Sequence, residues 1–196
     1  MIYVEDYKLI FMHLTKTGGE SVIAALNTPQ KRHAPVSAIL DDKFRQTYAR
    51  QLNLFEERDD FQPTKYLDKI KRNWNSLRIT FVRNPWARLV SEYHYNLDKN
   101  IVKRGFDEVV FSLLQCHDDI WKWSQMRWLS HKGKCYADRI YRLEYDREKF
   151  NLDFDVELPH KNKSVHKPYR EYYNERTKKV VELIFADDIK EFGYEF

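Results

Sequence analysis

Lys16, Gly18, Gly19 and Ser21 stand just after an apolar run of Leu9, Ile10 and Phe11, and just before Val22, Ile23, Ala24, Ala25 and Leu26. The order is strand, tight loop, helix start. Glycines let a backbone approach a ligand closely, and the first amides of a helix face whatever sits at its N-terminus. Lys16 adds a full positive charge, so such a loop suits a phosphate or a related oxyanion. Both glycines follow the lysine and none precedes it, so the spacing is not that of the nucleotide-triphosphatase loop. A second constellation has the same chemistry. Arg83 ends a run containing Leu77, Ile79, Phe81 and Val82, and Ser91 lies eight residues later. A guanidinium is a planar fork of donors matched to phosphate, and a serine hydroxyl can complete the site.

The elements that must carry these residues can be read from hydrophobic periodicity. The pattern predicts strands over 9–14, 77–82 and 139–143. Helices are predicted over 20–27, 36–54, 64–75, 106–115 and 119–130, with His33-Ala34-Pro35 as a loop and 55–63 as a charged surface segment. Pro85 suits the first turn of a helix that continues through Leu89, Val90, Tyr93 and Leu97. Asn174 suits the N-cap of a last helix bearing Val180, Val181, Ile184, Phe185 and Ile189 on one side. Strands alternating with helices imply a parallel sheet with helices on both faces, and no linker or repeat divides the chain. The expectation is one α/β domain over residues 1–196. Ligands of such sheets lie beyond the carboxyl ends of the strands, where both Lys16 and Arg83 fall. Two anion-binding strand ends in one sheet suit a ligand with two separated anionic groups.

Composition narrows the class further. The 196 residues are 42% hydrophobic and 15% aromatic, ample for one core. A net charge of +4, built from many charges of both signs, fits an anionic ligand or glycan and argues against nucleic acid. Cys116 and Cys135 match no zinc spacing and form no disulfide framework, which reads as two reduced thiols. No apolar stretch approaches the ~20 residues of a membrane span, and Glu5, Asp6 and Lys8 are unlike a signal peptide. If Met1 is the true start, the expected location is cytoplasmic.

At this point the residues resemble a known family. Lys16-Thr17-Gly18-Gly19-Glu20-Ser21 resembles the 5′-phosphosulfate loop of sulfotransferases. Phe81-Val82-Arg83-Asn84-Pro85-Trp86-Ala87-Arg88-Leu89-Val90-Ser91-Glu92-Tyr93 is similar to their 3′-phosphate motif. Leu158-Pro159-His160-Lys161-Asn162-Lys163-Ser164, then Tyr169, Tyr172-Tyr173 and an ending from Asp188-Ile189 to Phe192-Gly193-Tyr194-Glu195-Phe196, is similar to the membrane-anchored carbohydrate sulfotransferases and their bacterial relatives. The resemblance implies a P-loop-like α/β fold and 3′-phosphoadenosine 5′-phosphosulfate as sulfuryl donor, leaving 3′,5′-bisphosphoadenosine. The implied acceptor is a hydroxyl of a carbohydrate, on a glycan or glycolipid, and no metal is implied. Carried over, Lys16 and the backbone of Thr17, Gly18, Gly19, Glu20 and Ser21 would hold the 5′-phosphosulfate. Arg83 and Ser91 would take the 3′-phosphate, and Lys161, Asn162, Lys163 and Ser164 would form a loop over the nucleotide. Glu20 departs from the Thr or Ser of many relatives; it is expected to point along the helix, where a carboxylate complements the N-terminal dipole.

Sulfuryl transfer needs a base for the acceptor proton, positive charge on the leaving phosphate and fixed geometry. The motif places Lys16 to stabilise the leaving oxygen. His33, in a loop before a helix, is the expected base: histidine titrates near neutral pH, and carbohydrate sulfotransferases commonly have a catalytic histidine after the first helix. His13 and His94 read as packed residues, His117 and His131 as surface ones. His160 and His166 flank the 161–164 loop and could touch nucleotide or acceptor. Trp121, Trp123 and Trp128 read as core, an exposed one as a platform for a sugar ring. Arg142 and Glu144 read as an internal ion pair or a substrate contact. Two rivals stay open. A phosphoryl transferase should need Mg²⁺ and a strand-end carboxylate, whereas Arg83 follows 77–82; a domain that binds phosphoadenosine or an acidic glycan without turnover would lack a base.

Overall fold

Three short strands carry the most apolar runs of the chain into its interior. The computed structural model describes residues 1–28, 33–55, 62–115, 124–159 and 166–196, and of 50–55 the backbone alone. In chain order come β1 (Ile2–Val4), β2 (Leu9–Phe11), α1 (Gly19–Ala25), α2 (Ser37–Leu40), α3 (Asp42–Phe55), α4 (Pro63–Arg72), β3 (Leu77–Val82) and α5 (Pro85–Asp98). There follow α6 (Phe106–Ser112), a 3-10 turn (Leu113–Gln115), α7 (Gln125–Leu129), β4 (Ser130–His131), β5 (Lys134–Cys135) and β6 (Arg139–Arg142). Then come α8 (Arg147–Phe154), a second 3-10 turn (Tyr169–Tyr172), α9 (Glu175–Ile184) and α10 (Ala186–Phe192).

The main sheet has the order β1-β2-β3-β6. β2 and β3 are parallel, with Leu9 opposite Leu77, and so are β3 and β6, with Val82 opposite Arg142. The expected parallel sheet is therefore present. It gains β1, an antiparallel edge strand that the charged 5–8 turn conceals from a periodicity reading. Successive side chains of a strand point to opposite faces, and here each face meets its own layer. Leu9, Phe11, Ile79, Phe81 and Tyr141 pack with Val22 and Ile23 of α1 and Phe150 of α8. Ile10 and Val82 pack with Ile39, Tyr48, Leu67, Ile70, Trp128 and Phe192 of α2, α3, α4, α7 and α10. A third cluster joins Trp86, Leu89 and Val90 of α5 to Phe106 and Val110 of α6 and Val181 of α9.

Two predicted helices are broken where a single residue leaves helical geometry. The 36–54 helix divides at Asp41, which is extended (φ −122°, ψ 109°) and accepts the Phe44 amide at 3.0 Å, starting α3. The last helix divides at Phe185 (φ −107°, ψ 26°). Asn174 does cap α9: it accepts the amides of Arg176 and Thr177, and Thr177 Oγ1 accepts the Asn174 amide. Of the helix predicted over 119–130, only Gln125–Leu129 is helical among the described residues. α8 carries no amphipathic signal to read, since Phe150 is its buried apolar residue and Leu152 is 84% exposed.

Candidate active site

The loop at Lys16 leaves β2 and turns into α1 through left-handed backbone at two positions. Lys16 has φ 59° and Gly18 has φ 79°. Gly18 is the N-cap of α1, and its carbonyl accepts the amides of Ser21 (3.0 Å) and Val22 (3.3 Å). Thr17, fully buried, closes the turn by donating to the Leu14 carbonyl at 3.2 Å. The two glycines serve different ends. Gly18 meets the left-handed requirement, and a Cβ there would also lie 2.6 Å from Leu143 Cδ1. Gly19 makes room for protein rather than ligand, because a Cβ there would lie 1.9 Å from His13 Nε2. The space beside Gly19 is thus taken by the His13 ring. Glu20 stands in the first turn of α1, where a carboxylate complements the helix dipole.

Arg83 lies between the end of β3 and Asn84, whose Oδ1 caps α5 by accepting the amides of Trp86 (3.1 Å) and Ala87 (3.3 Å). Pro85 occupies the first turn as predicted. Arg83 Nη1 donates to the Lys16 carbonyl at 3.2 Å, so the guanidinium of one motif touches the backbone of the other. Burial pulls the Arg83 pKa down, with Glu144 and Tyr194 opposing, yet a guanidinium stays charged at any working pH. Lys16 Nζ lies 4.2 Å from the centre of the Tyr95 ring, an exposed face of α5. Burial lowers the Lys16 pKa, Glu92 and Asp98 raise it, and Arg83 lowers it further. Ser91, buried, precedes Tyr95 by one helical turn, so the residues predicted for the two phosphates border a common face of α5.

His33 is tied to this loop through His13. Its Nδ1 lies 3.0 Å from the His13 carbonyl, and its ring packs on the His13 ring with centroids 3.9 Å apart. A carbonyl only accepts, so Nδ1 carries the proton and Nε2 is the basic nitrogen of neutral His33. Tyr48 holds the His33 carbonyl from behind. Burial, aided by the positive charges of the amino terminus and Lys16 and opposed by the His13 hydrogen bond, pulls the His33 pKa down to about 4. His33, His13 and Gly19 are thus packed in a row from the candidate base to the anion loop.

Other candidates fall as follows. Lys161, Asn162, Lys163, Ser164, His160, His117, Cys116, Trp121 and Trp123 lie outside the described residues, as do 56–60. His166 stacks on His94 of α5 at 5.0 Å, and His94 Nε2 is 2.8 Å from the Tyr172 hydroxyl. Trp128 is core, 1% exposed. Arg142 and Glu144 do not pair: Arg142 bonds Asp146 at 3.2 Å, and Glu144 accepts the Asn84 amide (3.0 Å) and the Tyr194 hydroxyl (2.9 Å). Among the described residues no group of three His, Cys, Asp or Glu could hold a metal ion, and no helix is long and apolar enough to cross a membrane. Sequence reasoning missed Tyr95 and Gln125, and it gave Asp188 no contact of its own, because these contacts join distant elements.

No curated protein matches the chain significantly. A crystal structure of a sulfotransferase from Alicyclobacillus acidocaldarius is similar, at 12% identity over 96% of this chain and 85% of that one, with a TM-score of 0.43. That likeness is too slight to build on. The model of the sulfotransferase family, by contrast, matches residues 1–195 and so takes in the Lys16 loop, the Arg83 corner and the C-terminal segment together. The chain belongs to the sulfotransferase family.

Proposed function

We propose that this protein transfers a sulfuryl group from 3′-phosphoadenosine 5′-phosphosulfate to a carbohydrate hydroxyl, on a glycan or glycolipid. The observation that supports the reading is the hydrogen bond from Arg83 to the Lys16 carbonyl, which brings together the two motifs that resemble the donor-binding motifs of sulfotransferases. The donor set fits such a nucleotide. An ammonium, a guanidinium, the Ser91 hydroxyl and the amides that begin α1 are all donors, and two cations suit two separated phosphates. The carbohydrate acceptor rests on the likeness of residues 158–164 and of the chain's ending to carbohydrate sulfotransferases.

When bound, the donor supplies a sulfuryl group already activated by its bond to phosphate. His33 accepts the proton of the attacking hydroxyl at Nε2 as that oxygen bonds to sulfur, and the bond from sulfur to the phosphate oxygen breaks. Lys16 neutralises the charge left on that oxygen. Arg83 and Ser91 hold the ribose phosphate, and Lys161, Asn162, Lys163 and Ser164 cover the nucleotide. A low pKa keeps His33 unprotonated at neutral pH and makes it a weaker base than an ordinary histidine. The test is transfer of labelled sulfate from the donor to a panel of glycans, glycolipids and simple alcohols. Labelled carbohydrate is the expected product; transfer only to small alcohols would overturn the acceptor, and no transfer to any of them the activity.

A further inference from the structure

Every buried peptide group needs a hydrogen-bond partner, and Arg83 stands where the regular supply ends. The ladder between β3 and β6 stops at Val82, whose carbonyl takes the Leu143 amide at 2.8 Å. α5 begins at Pro85 and is capped by Asn84. The amide and carbonyl of Arg83 therefore belong to neither strand nor helix. Gln125, the first residue of α7 and fully buried, supplies both partners. Its Oε1 accepts the Arg83 amide at 2.8 Å, and its Nε2 donates to the Arg83 carbonyl at 2.9 Å.

A carboxamide offers the same donor and acceptor pair as a peptide, so this side chain takes the place of the next strand. Its orientation is set as well, since turning the amide over would face donor to donor at the Arg83 amide. Asp188 of α10, fully buried, accepts from Gln125 Nε2 (3.2 Å), from the Gln125 amide (2.8 Å) and from the Met126 amide (2.8 Å). Arg88 of α5 lies 3.8 Å away. Burial pushes the Asp188 carboxyl up, while Arg88 and these amide donors favour its charged form. α7 thus meets the backbone of Arg83 directly, and α10 holds the start of α7 in place.

We propose that Gln125, anchored by Asp188, is a positioning residue for Arg83 and fixes the guanidinium where it can take the 3′-phosphate of the donor. The proposal rests on the donor reading above. A guanidinium–phosphate contact is directional, so a loosened Arg83 backbone costs affinity only for ligands that carry that phosphate.

The experiment is calorimetric titration of 3′,5′-bisphosphoadenosine and of adenosine 5′-monophosphate, which lacks the 3′-phosphate. The proteins are wild type, Arg83→Ala, Gln125→Met and Gln125→Asn; the last keeps a carboxamide that is one methylene too short to meet both the amide and the carbonyl of Arg83. Wild type should prefer the bisphosphate by about tenfold or more, the worth of a hydrogen bond to a charged group. Both Gln125 variants should lose most of that preference, as Arg83→Ala does, while binding the monophosphate about as wild type does. If Gln125→Met does not fold, Gln125→Asn, which keeps a polar partner for Asp188, carries the test. Gln125 variants that keep the preference, or that weaken both ligands equally, overturn the positioning role alone. A wild type without preference overturns it together with the donor reading.

Discussion

Lys16 and Arg83 are both cations in the site, yet the geometry divides their labour. Lys16 leaves a backbone turn with its ammonium resting on Tyr95, whereas Arg83 is braced against the loop itself. Lys16→Ala should therefore lower kcat by about 100-fold or more, the scale of losing one transition-state charge partner. Arg83→Ala should chiefly raise the KM for the donor, by about tenfold or more. Steady-state kinetics with the donor varied separates the two; equal turnover of Lys16→Ala and wild type at saturating donor removes the role of Lys16. The pH dependence belongs to His33. Its pKa is about 4 in the folded chain against 6.5 ordinarily, so the unfolded chain takes up the proton first. Its contribution to stability is complete above pH 6.5 and is lost as pH falls toward 4, by roughly 3 kcal/mol in all. The acid limb of kcat/KM should accordingly lie near pH 4, and a profile unchanged in His33→Ala defeats the assignment. Gly19→Ala should destabilise by about 1–3 kcal/mol or more through collision with His13. Urea unfolding should show part of that loss recovered in the His13→Ala, Gly19→Ala double variant.

Single elements succeed or fail on local signals. The 77–82 strand, the proline-led start of α5 and the Asn174 cap are written in contiguous residues, and each forms where the pattern placed it. α5 depends on Asn84 at both ends of its amide: Oδ1 caps the helix, and Nδ2 donates to the Glu195 carbonyl at 2.9 Å. Asn84→Ala should cost about 1–2 kcal/mol by urea denaturation, the range for a lost N-cap. It should also weaken donor binding, since the corner carrying Arg83 is adjacent. Elements without such signals escaped the sequence. β1 is three residues long, α8 has no apolar stripe, and the breaks at Asp41 and Phe185 each rest on one residue leaving helical geometry.

Across the whole molecule, the sheet places Lys16, Arg83 and Glu144 beyond the carboxyl ends of β2, β3 and β6. A ligand bridging the first two must stabilise the folded state. Saturation with 3′,5′-bisphosphoadenosine at about 100 times its Kd, without metal, should add about 2.7 kcal/mol and raise Tm by about 5–10 °C. ATP with Mg²⁺ stabilising the protein equally would instead favour phosphoryl transfer. The sequence by itself determined the α/β class, the two motifs that carry Lys16 and Arg83 and the order of the elements bearing them, because short-range spacing encodes strand, turn and helix directly. Only tertiary structure decided that Arg83 meets the Lys16 carbonyl, that His13 fills the space above Gly19, and that Gln125 and Asp188 stand behind the arginine. Those contacts join residues up to 67 positions apart, and a buried polar group takes whichever partner the packed layers bring within reach.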